Sequence, residues 1–353
     1  MKIFKSLTCL CAVLGLLVVL TGCPNSAHKE GNKDPQGMVY FTFFNTVSKI
    51  YTYAGDSDEA FDENCKEVAA ILEEYHRLFD IYYEYSGINN LKTINQNAGK
   101  DPVTVDQKLI DFLLYAKELY TLTDGEMNVM MGAVLSLWHD CREAAITSPA
   151  SAAIPDADKL NTAALHTDIS LLEIDEVNKT VRITDPEARI DVGALGKGYA
   201  TEMAAQYLKS KGVDGYVLDI GRNIRIIGHK PDGSGWGTGI KDPANPNQYA
   251  LKITIANTSC VTSGDYERYF VVDGVKYHHV IDKDTLMPSA HFSSVSIITE
   301  NSGLADALST ALFTMSYEDG LALVNKIGGV EVLWIEADGT QRQTPGLAAL
   351  IME

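Results

Sequence analysis

Residues 190–208, IDVGALGKGYATEMAAQYL, constrain this chain more than any other stretch. A short, mostly apolar run, Ala188 to Val192, delivers an acidic side chain at Asp191. Gly193, Gly196 and Gly198 follow with Lys197 among them, and then an uninterrupted helix-forming segment. The spacing predicts a strand, a tight turn and a helix. Glycines let backbone approach a ligand closely, and a helix start turns its unpaired N–H groups and positive dipole end toward the same point. That dipole repels Lys197 unless an anion is present, so a phosphate site is expected. A plain strand-to-helix turn with a solvated lysine fits the same residues. A Walker A loop does not, because its glycine spacing is longer and its lysine is followed by Ser or Thr.

The N-terminus sets the compartment. Lys2 and Lys5 precede an almost wholly apolar run, Leu7 to Leu20, which ends in Leu20-Thr21-Gly22-Cys23. This reads as a secretory signal over residues 1–22, too short for a stable membrane span. Its ending resembles a bacterial lipobox, which implies lipidation of Cys23 and anchoring by two or three acyl chains on the extracytoplasmic face of the cell membrane. Residues 23–37, polar and rich in Pro and Gly, are expected to be a flexible tether. Residues 38–353 would form the functional domain.

Loss of residues 1–22 takes the formal charge from −18 to −20. Such a chain is repelled by nucleic acid and by anionic lipid, so nucleic acid is not an expected partner and phosphates must be captured by a dedicated site. Of six cysteines, two leave with the signal and Cys23 is expected to carry lipid. Cys65, Cys141 and Cys260 form neither a disulfide framework nor a metal pair and read as buried small apolar residues.

Val39 to Tyr53 is rich in aromatic and β-branched residues and predicts one strand. Helical spacing is expected over 60–81, 106–122, 303–315 and 317–327, and residues 143–161 read as a loop leading into another helix. Strands are expected over 171–177, 180–184, 216–220, 224–229, 250–256, 269–272, 292–298 and 330–335. Helices and hairpin-like strands mix without a regular βαβ rhythm, so the fold class expected is α+β.

Three blocks carry chemistry. In Ala305-Asp306-Ala307-Leu308-Ser309-Thr310, Asp306 and Thr310 lie four apart on one helical face, a pair of hard oxygen donors suited to Mg²⁺. A threonine bonding back to its own helix is the alternative. In TSGDYERYFVVDGVKYHHVIDKDTLMP, residues 262–288, His278 and His279 are adjacent, so on a strand they face opposite ways and do not form a zinc pair. Either could serve as a base, with His279 the leading choice, given an ordinary pKa of about 6.5. The third block, Asp219-Ile220-Gly221-Arg222-Asn223, ends a strand with a glycine turn and an amide.

Together these blocks resemble the ApbE-type FAD:protein FMN transferases over roughly residues 38–345. IDVGALGKGYATE, YVLDIGRN, TSGDYERYF…YHHVIDKDTLMP and ADALSTALF fall in that family's order, and FFNTV and LFDIYYEYSGINNLKTIN fit its weaker N-terminal motifs. The resemblance implies a two-lobed α+β fold with mixed sheets and the flavin site between the lobes. It also implies Mg²⁺-dependent transfer of FMN from FAD to a Thr or Ser hydroxyl of a partner protein, releasing AMP. Some members hydrolyse FAD to FMN and AMP instead, and a flavin-binding protein without turnover is a third reading. By motif, Ala194 (through its carbonyl), Asp306 and Thr310 would hold the metal. Asp191 and Lys197 would contact the nucleotide, and Lys197 and His279 are the expected catalytic residues. Phe44, Tyr82 and Glu126-Met127-Asn128 would line the flavin or adenine pocket, with Ile281 packed nearby. Arg222 stands where the family has a second glycine, Asp284 where it has a basic residue, and Leu286 where it has a glycine.

Overall fold

The computed structural model describes residues 36–352 apart from Ala54. The expected signal, Cys23 and most of the tether lie outside the described residues. Gln36 and Gly37, the last two residues of the expected tether, already pair with Thr52 and Tyr51.

Eight strands form the main sheet: β1 (Gln36–Tyr40), β2 (Ser48–Thr52), β3 (Tyr216–Ile220), β4 (Asn223–Ile227), β5 (Ser259–Gly264), β6 (Ser294–Thr299), β7 (Glu331–Ile335) and β8 (Gln341–Gln343). They lie side by side in chain order, each antiparallel to the next. The stretch between β2 and β3 is one long insertion. It holds α1 (Asp58–Phe79), α2 (Leu91–Gln96), α3 (Gln107–Leu122), α4 (Gly132–Thr147), α5 (Ala157–Ala164) and α6 (Gly196–Ser210), with a small three-stranded sheet. After β6 come α7 (Ser302–Thr314) and α8 (Tyr317–Ile327). Helices stand beside several separate antiparallel sheets, so the fold class is α+β.

Both faces of the main sheet are covered, and the strand pattern shows how. Leu218 and Ile220 of β3 join the core under α1 and α6, while Val217 between them joins a second core under the hairpin Trp236–Lys241 and Tyr249–Ile255. This is the period-two alternation of a pleated strand. β6, SVSIIT, is buried at every residue, as a strand covered on two faces must be. A third packing cluster joins Val134 and Trp138 of α4 to Phe270, Ile281 and Leu286. Cys65 and Cys260 are buried free thiols, as expected, whereas Cys141 is only half-buried.

Two expectations need correction. Val39 to Tyr53 is two strands, because the chain turns through left-handed backbone at Phe44 and Asn45, both with φ of 51°. Residues 143–147, read as loop, are the last turn of α4, a helix that starts at Gly132 and was not foreseen. Its weak amphipathic stripe hid it: Gly132, Val134, Trp138 and Ala145 face inward at irregular intervals.

Candidate active site

The glycine turn and its helix form as the spacing predicts, and two of the glycines, Gly196 and Gly198, serve packing. None of the three has a positive φ. A Cβ on Gly198 would run into Asp306 and the Ser302 carbonyl, and one on Gly196 would press on the Phe79 ring at 3.1 Å. Gly198 therefore lets the start of α6 close directly onto α7. Leu195 caps α6 with no side-chain bond. The cap comes instead from α7, where Asp306 Oδ2 accepts the Gly198 N–H at 2.8 Å.

Asp306 is the centre of the site. It is buried, and Lys197 Nζ lies 3.6 Å from the same oxygen. Asn223 Nδ2 approaches Asp306 Oδ1 at 3.5 Å, leaving Asn223 Oδ1 buried without a partner. Burial holds the Asp306 carboxyl above the usual carboxylate range, opposed chiefly by the Lys197 charge and then by the Gly198 N–H. Thr310 lies one turn further along α7. The Asp306 carbonyl accepts the Ser309 hydroxyl at 2.8 Å. A buried carboxylate, a threonine hydroxyl one turn on and an orphaned amide oxygen fit a hard cation such as Mg²⁺, which takes few protein ligands. Ala194 precedes the first turn of α6, its carbonyl two residues before the helix start. Among the described residues no three His, Cys, Asp or Glu side chains cluster as a closed metal cage.

Around His279 the chain gathers positive charge despite its acidic balance. His279 is pushed down toward about 3 by burial and by Arg268, His278, Lys197 and Arg142. It is nonetheless exposed, so it sits in a recess open to water. His278 faces the other way, as adjacent strand residues must. It is buried, its Nε2 lies 2.8 Å from the Ser289 carbonyl, and its Nδ1 accepts the Val280 N–H at 3.3 Å. That fixes one neutral tautomer and makes His278 a packing residue, leaving His279 as the available base.

Asp191 accepts the Gly193 N–H at 2.8 Å; burial raises its carboxyl, against that bond and the charges of His139 and Arg268. Tyr82, half exposed, lies with its ring 5.3 Å from His139, and His139 Nδ1 is 2.9 Å from Arg142 Nη2. Burial and Asp191 raise the Tyr82 hydroxyl while Arg142 and Arg268 oppose them. The residues that sequence reasoning missed are thus Arg268, Arg142, His139 and Asn223. Arg268 and Asn223 were inside quoted motifs. His139 and Arg142 were on the unforeseen helix α4, three residues apart and so on one face.

Phe44 is half-buried, its ring edge-on to His76 at 5.6 Å, and Ile281 is buried with Trp138 and Phe270. Glu126 accepts the Thr314 hydroxyl at 2.9 Å and pairs with Lys283 at 3.3 Å. Met127 is wholly inside the main core, so only its backbone could meet a ligand. Asn128 spends its amide on its surroundings, donating to the Thr167 carbonyl and accepting the Met130 N–H. Arg222 occupies the second residue of the two-residue turn from β3 to β4, with φ of 70° beside 56° at Gly221. Such turns need left-handed backbone at both positions, which costs a non-glycine residue roughly 1–2 kcal/mol. Arg222 is held there by its N–H to Asp219 Oδ1 at 3.0 Å, by an ion pair with Glu267, and by the Tyr266 ring 5.8 Å away. With Glu267 so engaged, Arg268 is exposed and in no ion pair among the described residues.

The family model of the ApbE family matches residues 44–334. The chain belongs to the ApbE family. It is 33% identical over 300 residues to the FAD:protein FMN transferase of Treponema pallidum, covering 80% of this chain and 81% of that one. To the enzyme of the same description from Vibrio cholerae it is 29% identical over 312 residues, 88% of each chain. In three dimensions this ApbE-family chain is similar to the ApbE protein of Thermotoga maritima, with a TM-score of 0.79 at 28% identity, over 91% of this chain and all of that one. The flavin transferase ApbE of Vibrio cholerae follows with a TM-score of 0.74 at 26% identity, over 90% of this chain and all of that one.

Proposed function

We propose that this chain transfers the FMN half of FAD to a Thr or Ser hydroxyl of an extracytoplasmic partner protein, with Mg²⁺ and with release of AMP. Flavin transferase is the enzyme class of its family relatives, and the chain is an enzyme of that class. The observation that carries the finer reading is Asp306, a buried carboxylate set against the first turn of α6 beside Lys197, which with Arg268 and Arg142 is also among the cations that face His279.

Each residue has a task. Lys197 and Arg268 would receive the diphosphate of FAD, where charge-assisted bonds are strongest. Asp306, Thr310 and the Ala194 carbonyl would hold Mg²⁺, with Asn223 Oδ1 facing the same space. When bound, the cation neutralises charge on the phosphate oxygens. Phosphoryl transfer asks little covalent work of a protein and much positioning. The acceptor hydroxyl oxygen bonds to the FMN phosphorus, the bond from that phosphorus to the bridging oxygen breaks, and AMP leaves with that oxygen. The hydroxyl proton goes to His279, which desolvation and then its cationic neighbours keep unprotonated. The arriving diphosphate offsets those neighbours and lifts the imidazole back toward its ordinary range.

Incubation of the chain with FAD, Mg²⁺ and a candidate acceptor tests this directly. A fluorescent acceptor band is the expected result. Free FMN without labelled protein would replace the reading with FAD hydrolysis, and unchanged FAD with flavin binding alone.

The proposal includes anchoring through a lipidated Cys23 on the extracytoplasmic face. Cys23→Ala protein is expected in the soluble fraction, since the tether offers no second anchor and the charge of −20 after signal removal opposes adsorption to anionic lipid. Full retention in washed membranes would refute the lipobox.

A further inference from the structure

Asp306 is held by a lattice of buried bonds that spans three elements. On α6, Gly198 and Glu202 are four residues apart; on α7, Ser302 and Asp306 are four apart. Gly198 N–H donates to Asp306 Oδ2 at 2.8 Å, and Ser302 N–H donates to Glu202 Oε2 at 2.9 Å. A step of four forward on one helix matches four back on the other, so the helices run antiparallel and the two bonds are successive rungs. Strand β4 supplies two more contacts from residues two apart. Asn223 Nδ2 reaches Asp306 Oδ1 at 3.5 Å, and Arg225 Nε reaches Glu202 Oε2 at 3.0 Å. Four helical residues rise about 6 Å and two strand residues about 6.6 Å, so all three elements keep step.

The lower rung is costly to build. Arg225 and Glu202 side chains are 0% and 5% exposed, and Arg225 Nη2 and Ser302 Oγ are buried without a partner. Apolar side chains of similar size would often hold these elements together as well or better. The pair therefore contributes something that stability alone does not explain. Its two bonds fix the axial register of α7 against α6 and β4 at the turn before Asp306.

We propose that Glu202 is a positioning residue for the cation site: it sets the register that brings Asp306 onto the Gly198 N–H and beside Lys197. This rests on the reading that Asp306 holds Mg²⁺.

The test uses the full chain without FAD and reads Mg²⁺ affinity by titration calorimetry beside thermal melting. Ser302→Pro deletes the backbone N–H that Glu202 accepts and leaves the side-chain partners of Glu202 in place. Proline suits a first helical residue, and Asn301 before it has φ −88° and ψ 120°, which proline tolerates. Glu202→Met/Arg225→Met removes both buried charges together, so neither is left unpaired. Both variants are expected to melt cooperatively near the parent while the Mg²⁺ dissociation constant rises about ten-fold or more, as when a bond supporting a metal ligand is lost. Unchanged affinity in the folded variants would overturn the proposal and leave the pair as packing. Loss of cooperative melting in Ser302→Pro would overturn it too, by making that bond a folding requirement. Failure of the parent chain to bind Mg²⁺ would instead remove the Asp306 reading on which the proposal stands.

Discussion

Asp306→Asn is expected to abolish FMN transfer and to leave the metal-free protein at least as stable as the parent. The amide keeps an oxygen for the Gly198 N–H, which the carboxylate accepts at 2.8 Å, but it removes the charge that would hold the cation. Turnover should fall about a thousand-fold or more, since metal stabilisation of phosphoryl charge is worth several kcal/mol and each 1.4 kcal/mol is a factor of ten. Stability should move the other way. Burial raises the folded carboxyl above its unfolded value against the opposing Lys197 charge. A raised acid contributes stability below its unfolded pKa and loses it as pH climbs through the folded one. At neutral pH the metal-free carboxylate is therefore a liability. Asparagine removes it, so the melting temperature of the variant at pH 8 should match or exceed the parent's, with the gap closing toward pH 4. Near-normal turnover at limiting Mg²⁺ would end the metal assignment, and a large drop in metal-free melting temperature would make Asp306 a structural residue.

That outcome would separate function from folding at a residue whose importance was only half legible in the chain. The Asp306/Thr310 spacing could be read because a helix converts a step of four into a shared face. The three glycines could be located as well, but the packing role of Gly196 and Gly198 could not. Glycine before a helix suggests room for a ligand, whereas Gly198 makes room for Asp306 and the Ser302 carbonyl, 104 and more residues further on. Contacts across that distance leave no local pattern. The same holds for Arg225 and Glu202: each looks like an ordinary charged residue on a strand and a helix, and only the three-element packing shows that they are buried against each other.

The fold was legible where hydrophobic period and burial agreed. β3, β7, α1, α7 and α8 follow runs whose apolar spacing matches the faces they bury, whereas β5, with its polar Thr262-Ser263-Gly264 end, was not foreseen. It was not legible where tertiary packing overrode local preference. FTFFNTV reads as strand by composition, but the chain needs a turn there to bring β2 beside β3, and Phe44 and Asn45 take left-handed backbone to make it. On α4, Trp138 points into the Phe270 and Tyr277 rings while His139 and Arg142 turn to the recess near Tyr82. A helix with its inner and outer residues shared among several neighbours has no single apolar stripe to find. Arg142, one of the cations facing His279, was missed for that reason.

Lys197→Met gives the second large effect, and here the structure changes what the sequence alone would lead one to expect. A lysine at a helix start with no partner should be dispensable in the absence of ligand, because the dipole repels it. Lys197 has a partner: the Asp306 oxygen 3.6 Å away, with the lysine side chain 23% and the aspartate 6% exposed. Methionine keeps the length of the stem and removes the charge that most opposes the raised Asp306 carboxyl. The folded carboxyl then rises further, and by the same linkage the metal-free variant should lose stability as pH climbs from 5 to 8, on the order of 1–2 kcal/mol at the upper end. With FAD the loss is different in kind. The ammonium would then lie against the diphosphate, where a charge-assisted bond contributes about 1.5–3 kcal/mol, so FAD affinity should fall roughly ten- to a hundred-fold at any pH in that range. Calorimetric FAD titrations and melting curves at pH 5 and pH 8 distinguish the two roles. Unaltered FAD affinity with a pH-dependent loss of stability would confine Lys197 to supporting Asp306. Weakened FAD binding with no pH-dependent change in stability would show that the 3.6 Å pair does little before the nucleotide arrives.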